Sequence, residues 1–236
     1  MRRLVAISTL AALLCGGCDF PADPDGTLER VRGGVLRVGV TPAEPFVRLD
    51  DGGDPTGVEV ELVQGFAETL DARVEWVPGS ESDLMEALAG GQLDVVIAGL
   101  TRRSEWQRTA ALTRPYLTTQ VVIAAPDEAL AEQLSEDLEG VPIGVEANSP
   151  EAAKLEQDTD AIVVPVDDLA AVEGPLAVPD YLLDDLELVR TDAELDEHEH
   201  AMAAPMGENA FLVALDRYLL DREAEAAEIL EREGKP

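Results

Sequence analysis

The sequence reads as an α/β protein of two lobes, each a mainly parallel sheet flanked by helices. Three observations carry this. Apolar strands and amphipathic helices alternate as β-α-β-α-β from Val35 to Ala98, which implies a parallel sheet with helices on both sides. The alternation then restarts at Val141, after a further strand at Gln120–Ala125, so a second unit of the same kind follows. Hydrophobic residues make up 46% of the chain, enough to bury a real core.

The elements can be justified in order. Thr27 can cap a short helix running through Arg32, which Gly33–Gly34 ends. Val35–Val40 is a strand. Leu62, Val63, Phe66, Ala67 and Leu70 recur at helical spacing after Gly57. Arg73–Val77 is a strand, and Ser82–Ala89 is a helix with Leu84, Met85 and Leu88 inward. Asp94–Ala98 (DVVIA) is the short apolar run expected of a strand buried on both faces. In the second unit, strands are expected at Val141–Val145, Ala161–Val164, Leu176–Val178 and Leu186–Val189, with a helix from Ser149. A strand near His200–Ala204 and two helices, about 208–220 and 222–233, close the chain.

The N-terminus carries a different signal. Arg2–Arg3, the apolar run Leu4–Leu14 and Gly16–Gly17 have the layout of a secretory signal. The run is too short to span a bilayer permanently. Leu14–Cys15–Gly16–Gly17–Cys18 resembles a bacterial lipoprotein signal, with cleavage before Cys18 and lipid on its thiol; a plain cleaved signal peptide is the alternative. Residues 1–17 are thus expected to be removed. The Pro- and Asp-rich stretch Asp19–Gly26 reads as a tether, so that residues 18–32 comprise a tether and a short helix. Cys15 and Cys18 are the two cysteines, so no intramolecular disulfide is expected in the mature chain. Acidic residues number 49 against 17 basic ones, a net charge of −32, which disfavours nucleic acid and anionic lipid surfaces as partners.

From Leu36 to Leu130 the residues resemble a family. The carrying segments are LRVGV (36–40), PTGVEVELVQGFAETL (55–70), LMEALAGGQLDVVIAGLT (84–101) and LTRPYLTTQVVIAA (112–125). The likeness resumes at LEGVPIGVEANSPEA (138–152) and HAMAAPMGENAFLVALDRYL (200–219). In order and spacing these segments are similar to the extracytoplasmic solute-binding proteins of amino-acid-type ABC importers, family 3. The resemblance implies the type II periplasmic-binding-protein fold, with ligand held between lobes that close on it, and an ABC permease as partner. Lobe 1 is then 33–125 plus 199–236, and lobe 2 is 126–198. The connections near Ala124–Pro126 and Glu197–Ala201 are the expected hinge. Lobe 2 is short, for the helix before Leu176–Val178 is missing. A lipid-anchored, extracytoplasmic monomer without cofactor is the expected state.

The resemblance also points to a ligand set: Glu44, Phe46, Glu81, Gly99, Thr101, Trp106, Ser149 and Asp180. Relatives that bind α-amino acids usually hold the carboxylate with an Arg in a Gly-x-Ser/Thr-x-x-x-x-Arg segment. In Gly99–Leu100–Thr101–Arg102–Arg103–Ser104–Glu105–Trp106, Trp106 takes that place. Its indole offers one N–H and no charge, so it cannot replace the fork. Trp106 is either a wall of the cleft or a core aromatic, and Arg102 or Arg103 could swing in. Glu44 and Glu81 stand where apolar groups usually sandwich the ligand, and each is otherwise an ordinary surface Glu. Asp180 matches the aspartate that receives the ligand ammonium, or is a helix cap. Ser149 matches a carboxylate-binding Thr at a helix start, but Pro150 lacks the N–H that usually helps it. One cation is lost and carboxylates are gained, which favours a cationic or amine-bearing solute over an ordinary α-amino acid.

Other constellations point less far. His198–Glu199–His200 would put two imidazoles on one face of a strand, as in a zinc site, or is simply an exposed crossover; no metal is expected. No phosphate loop, G-x-S-x-G elbow or cysteine nucleophile is present, so no catalytic residue is expected. A ligand sensor for a signalling partner is the alternative function, and a dehydratase on the same scaffold is a further one.

Overall fold

The computed structural model describes residues 21–49 and 54–234, so the signal sequence and Cys18 lie outside the described residues. The chain begins with α1 (Thr27–Val31), β1 (Val35–Val40), α2 (Val58–Thr69), β2 (Arg73–Pro78), α3 (Glu81–Ala89) and β3 (Val95–Ile97). Then follow β4 (Ala111–Leu112), β5 (Leu117–Ala125), α4 (Glu128–Glu136), β6 (Pro142–Glu146), α5 (Pro150–Asp158), β7 (Ile162–Val166) and β8 (Leu176–Pro179). The long β9 (Val189–His200), β10 (Ala203–Ala204), α6 (Asn209–Leu220) and α7 (Glu223–Glu233) complete it.

Two five-stranded sheets result, in the orders β2-β1-β3-β10-β4 and β7-β6-β8-β5-β9. In each, three parallel neighbours are joined by an antiparallel strand, β10 in the first and β5 in the second. The first sheet is held by apolar burial. Val95, Val96 and Ile97 are fully buried, and α2, α6 and α7 lay Phe66, Phe211, Leu215 and Ile229 onto the same core as Leu36 and Val38. On the other side, α3 covers Val96 with Leu84 and Leu88. Ser80 starts α3 by accepting from the Asp83 N–H.

The pairing corrects three sequence expectations. The boundary at residue 125 moves to about 116, because β5 pairs with β8 and β9 in the second sheet. An apolar strand reads the same in either sheet; only its long-range partners decide. The hinge expected near Ala124–Pro126 therefore falls at the far end of β5, where Ala124 and Ala125 are fully buried. The chain passes between the sheets at Tyr116–Leu117 and again at His200–Ala201, side by side, with the Tyr116 N–H donating to the His200 carbonyl at 3.0 Å. Leu186–Leu188 is not a strand. Glu187 has φ 52°, and Leu186 and Leu188 turn inward against Ala124, Leu176 and Val178.

The expected tether is in part a docked segment. Ala22 accepts from the N–H groups of Asn209 and Ala210 at 2.9 and 3.2 Å. Gly26, not Thr27, precedes α1, and no side chain caps from that position. Instead Asp23 accepts from the Leu28 N–H at 2.8 Å, and the Glu208 carboxylate accepts from Asp25 and Thr27 at 3.0 Å each. Acidic groups thus satisfy the start of one helix from the start of another.

A candidate solute-binding cavity between the sheets

A cavity of about 330 Å³ opens between the two sheets. From the first side, Ala43, Glu44, Phe46, Gly99 and Thr101 line it. The turn after β1 places the first three, closed by the Val47 carbonyl accepting from the Ala43 N–H at 2.9 Å. Arg48 fastens that turn to α7 through Glu233 at 2.7 Å and reaches Glu44 at 3.3 Å. Gly99 has φ +61°, and a Cβ there would stand 3.0 Å from Ala43 and 3.3 Å from Phe46, so the wall needs glycine.

The second side contributes Thr119, Glu146, Ser149, Glu151, Tyr181 and both histidines, among others. These sit at the C-terminal ends of β6 and β8, at the start of α5, and along β5 and β9. Such strand ends are where open α/β sheets commonly hold ligands. Phe46 stacks on His200 with ring centroids 4.2 Å apart and meets Tyr181 edge-on at 6.5 Å. His200 Nε2 lies 2.8 Å from Thr119 Oγ1, while its buried Nδ1 has no partner. Burial, with His198 nearby, pushes the His200 imidazole down to about 3, so it is neutral at ordinary pH. Burial, then the charges of Asp180, Glu146 and Glu151, push the Tyr181 phenol up to about 12.

Of the sequence-predicted ligand residues, the cavity brings together Glu44, Phe46, Gly99, Thr101 and Ser149. It does not include Glu81, Trp106 or Asp180 in its lining. Trp106 Nε1 donates to Glu81, and the indole packs against the cluster of Leu84, Leu88 and Leu100. Arg102 does not swing in either. Its Nη1 donates to the carbonyls of Leu112 at 3.1 Å and Thr113 at 2.9 Å. Arg103 Nη1 lies 2.6 Å from Asp196, on which Lys154 also sits at 2.7 Å. Burial alone would raise the Asp196 carboxyl, but the hydrogen bonds from Lys154 and Arg103 hold it well below its ordinary range.

Sequence reasoning missed His198, His200, Tyr181, Glu146 and Glu151 as lining residues. The alternation along EHEH did show that both histidines share a face. Their rings stand 6.3 Å apart, edge to face, and among the described residues no group of three or more His, Cys, Asp or Glu is arranged to hold a metal.

Residues 36–232 match the family model of the bacterial extracellular solute-binding proteins, family 3. The chain belongs to that family. Two curated relatives match part of the chain. This family 3 chain is 35% identical over 124 residues to membrane-bound lytic murein transglycosylase F of Vibrio cholerae, covering 50% of this chain and 23% of the relative. It is 35% identical over 95 residues to cyclohexadienyl dehydratase of Pseudomonas aeruginosa, covering 39% of this chain and 35% of the relative. The chain thus matches only 23% and 35% of the length of these two curated relatives. Among solved structures, an ancestral cationic amino acid solute-binding protein aligns with a TM-score of 0.71 at 20% identity, over 89% of this chain and 99% of that one. The unliganded, open L-cystine solute receptor of Neisseria gonorrhoeae aligns with a TM-score of 0.70 at 21% identity, over 88% and 94%. At such identities these structures establish the two-lobed fold, not a ligand. No described helix of the family 3 chain is long and apolar enough to cross a membrane.

Proposed function

We propose that the protein binds a small cationic or amine-bearing solute outside the cytoplasm and delivers it to an ABC permease, without chemical conversion, as a monomer held to a membrane by lipid on Cys18. One observation carries the ligand reading: among the described residues, the cavity is lined by Glu44, Glu146 and Glu151 and by no Arg or Lys. Glu44 and Glu146 are exposed here and Glu151 is partly buried. Closing the lobes on the solute would bring carboxylates together and strip their water, and a cation relieves both costs. Phe46 and Tyr181 add aromatic faces against which a cation is favoured by about 0.5–2 kcal/mol.

Delivery follows from the two crossovers. A solute touching both sheets gains half its contacts only when the lobes close. Shifting an open–closed equilibrium from 1:99 to 99:1 takes about 5.5 kcal/mol of such differential binding. A few charged hydrogen bonds in a dry cleft supply that.

The test is a thermal-shift screen of amines, betaines and amino acids, since a solute that binds only folded protein raises its melting temperature. Solutes with a net positive charge are expected to raise it. A shift confined to neutral or acidic amino acids would refute the reading. For anchoring, Cys18→Ala should move the protein from membrane to soluble fractions; a natural protein already soluble and lacking Cys18 would refute the anchor.

A further inference from the structure

We propose that the solute carries amine or guanidinium groups and no carboxylate, so that this cavity selects amines such as agmatine or cadaverine over the amino acids arginine and lysine. The inference rests on the cation reading above and concerns the other end of the ligand.

A carboxylate needs a cation or a set of free N–H donors. Among the described residues, the cationic side chains around the cavity are already engaged by the protein. Arg102 is held by two backbone carbonyls, Arg103 and Lys154 by Asp196, and Arg48 by Glu233 and Glu44. One place for an anion is the start of α5, where Ser149 lines the cavity. There, Pro150 has no N–H to offer, and the Ala152 N–H already donates to Ser149 Oγ at 3.2 Å. Glu151, in the same first turn, lines the cavity with its own carboxylate. Its negative charge in the first turn offsets the positive end of the helix and disfavours a second anion there. His198 Nε2 stands 3.6 Å from both Glu151 and Asp196, so it already faces two carboxylates of the protein. His200 is neutral and buried.

A ligand carboxylate would therefore enter among Glu44, Glu146 and Glu151 with no uncommitted cation among the described residues to meet it. Arginine and agmatine share a guanidinium and a carbon chain and differ by the carboxylate, as do lysine and cadaverine. Each pair isolates the term.

The experiment is titration calorimetry of the purified protein with agmatine, arginine, cadaverine, lysine and glutamate. Agmatine and cadaverine are expected to bind at least about tenfold more tightly than their carboxylated counterparts. Arginine or lysine binding as tightly as its amine, or more so, would overturn this inference and leave the cation reading standing. Binding of glutamate alone, or of none of the five at millimolar concentration, would overturn both. Glu151→Gln, which keeps the shape of the helix start, should narrow the agmatine-to-arginine ratio by at least about threefold, with its melting curve as the folding control. A ratio unchanged in that variant would overturn the part assigned to Glu151.

Discussion

The two sheets are built to one plan but covered differently. In the first, β3 lies between β1 and β10 with Val95, Val96 and Ile97 wholly buried, and helices close both faces. In the second, the outer strand β7 leaves Ile162 55% and Val164 37% exposed. Between β7 and β8 stands only a one-turn segment, Leu169–Ala171, where a longer connection would carry a covering helix. Yet IVVPV reads as a strand as plainly as DVVIA does. β-Branched composition reports backbone preference, while cover is a property of what packs above. Pro165 takes one N–H out of the bare outer strand, which discourages pairing with other chains.

The contrast can be broken most directly in the first sheet. Ile97→Ala should lower unfolding free energy in urea by about 2–5 kcal/mol, the cost of lost burial and a cavity. A loss under about 1 kcal/mol would mean that this sheet is not the tighter one.

The first unit also encloses an ionisable group, which sharpens the comparison. Glu59 is fully buried behind the cavity wall, accepting from the Gly99 N–H at 2.9 Å and the Tyr116 hydroxyl at 3.0 Å. Burial pushes its carboxyl up to about 7, against the pull of those hydrogen bonds. A carboxyl raised in the folded state stabilises fully below its ordinary value near 4.5, and that contribution fades as pH rises to about 7. Glu59→Gln should remove this decline and gain on the natural protein across that window, by about 3 kcal/mol at most. Parallel stability profiles for the two proteins from pH 4.5 to 8 would show that Glu59 does not titrate there.

The smallest effect belongs to the second sheet. Ile162→Ala, on the bare strand, should change stability by about 0.5 kcal/mol or less. A core-sized loss would mean that something covers β7 in solution.

The site was legible in proportion to how local its signals are. Glu44, Phe46, Gly99, Thr101 and Ser149 follow strand ends or start a helix, and motif position was enough to bring them to the cavity. Trp106 and Glu81 satisfy each other, a pairing across 25 residues that no motif reveals. Glu146 and Glu151 flank Ser149 in sequence, but in so acidic a chain nothing marked them from the other carboxylates. His198 and His200 were visible as a pair on one face. Their place at the cavity depended on β9 crossing beside β5.

The sequence by itself determined the kinds and order of most elements, because helical and strand periodicities are written within a few consecutive residues. It also determined the absence of an arginine at residue 106, which turns on identity alone. Only the tertiary structure decided which sheet receives β5, where the chain crosses between sheets, and which charges meet in the cavity. Those outcomes rest on partners far apart in the chain. Leu117 pairs with His200, and Arg103 is drawn to Asp196 rather than lining the cavity.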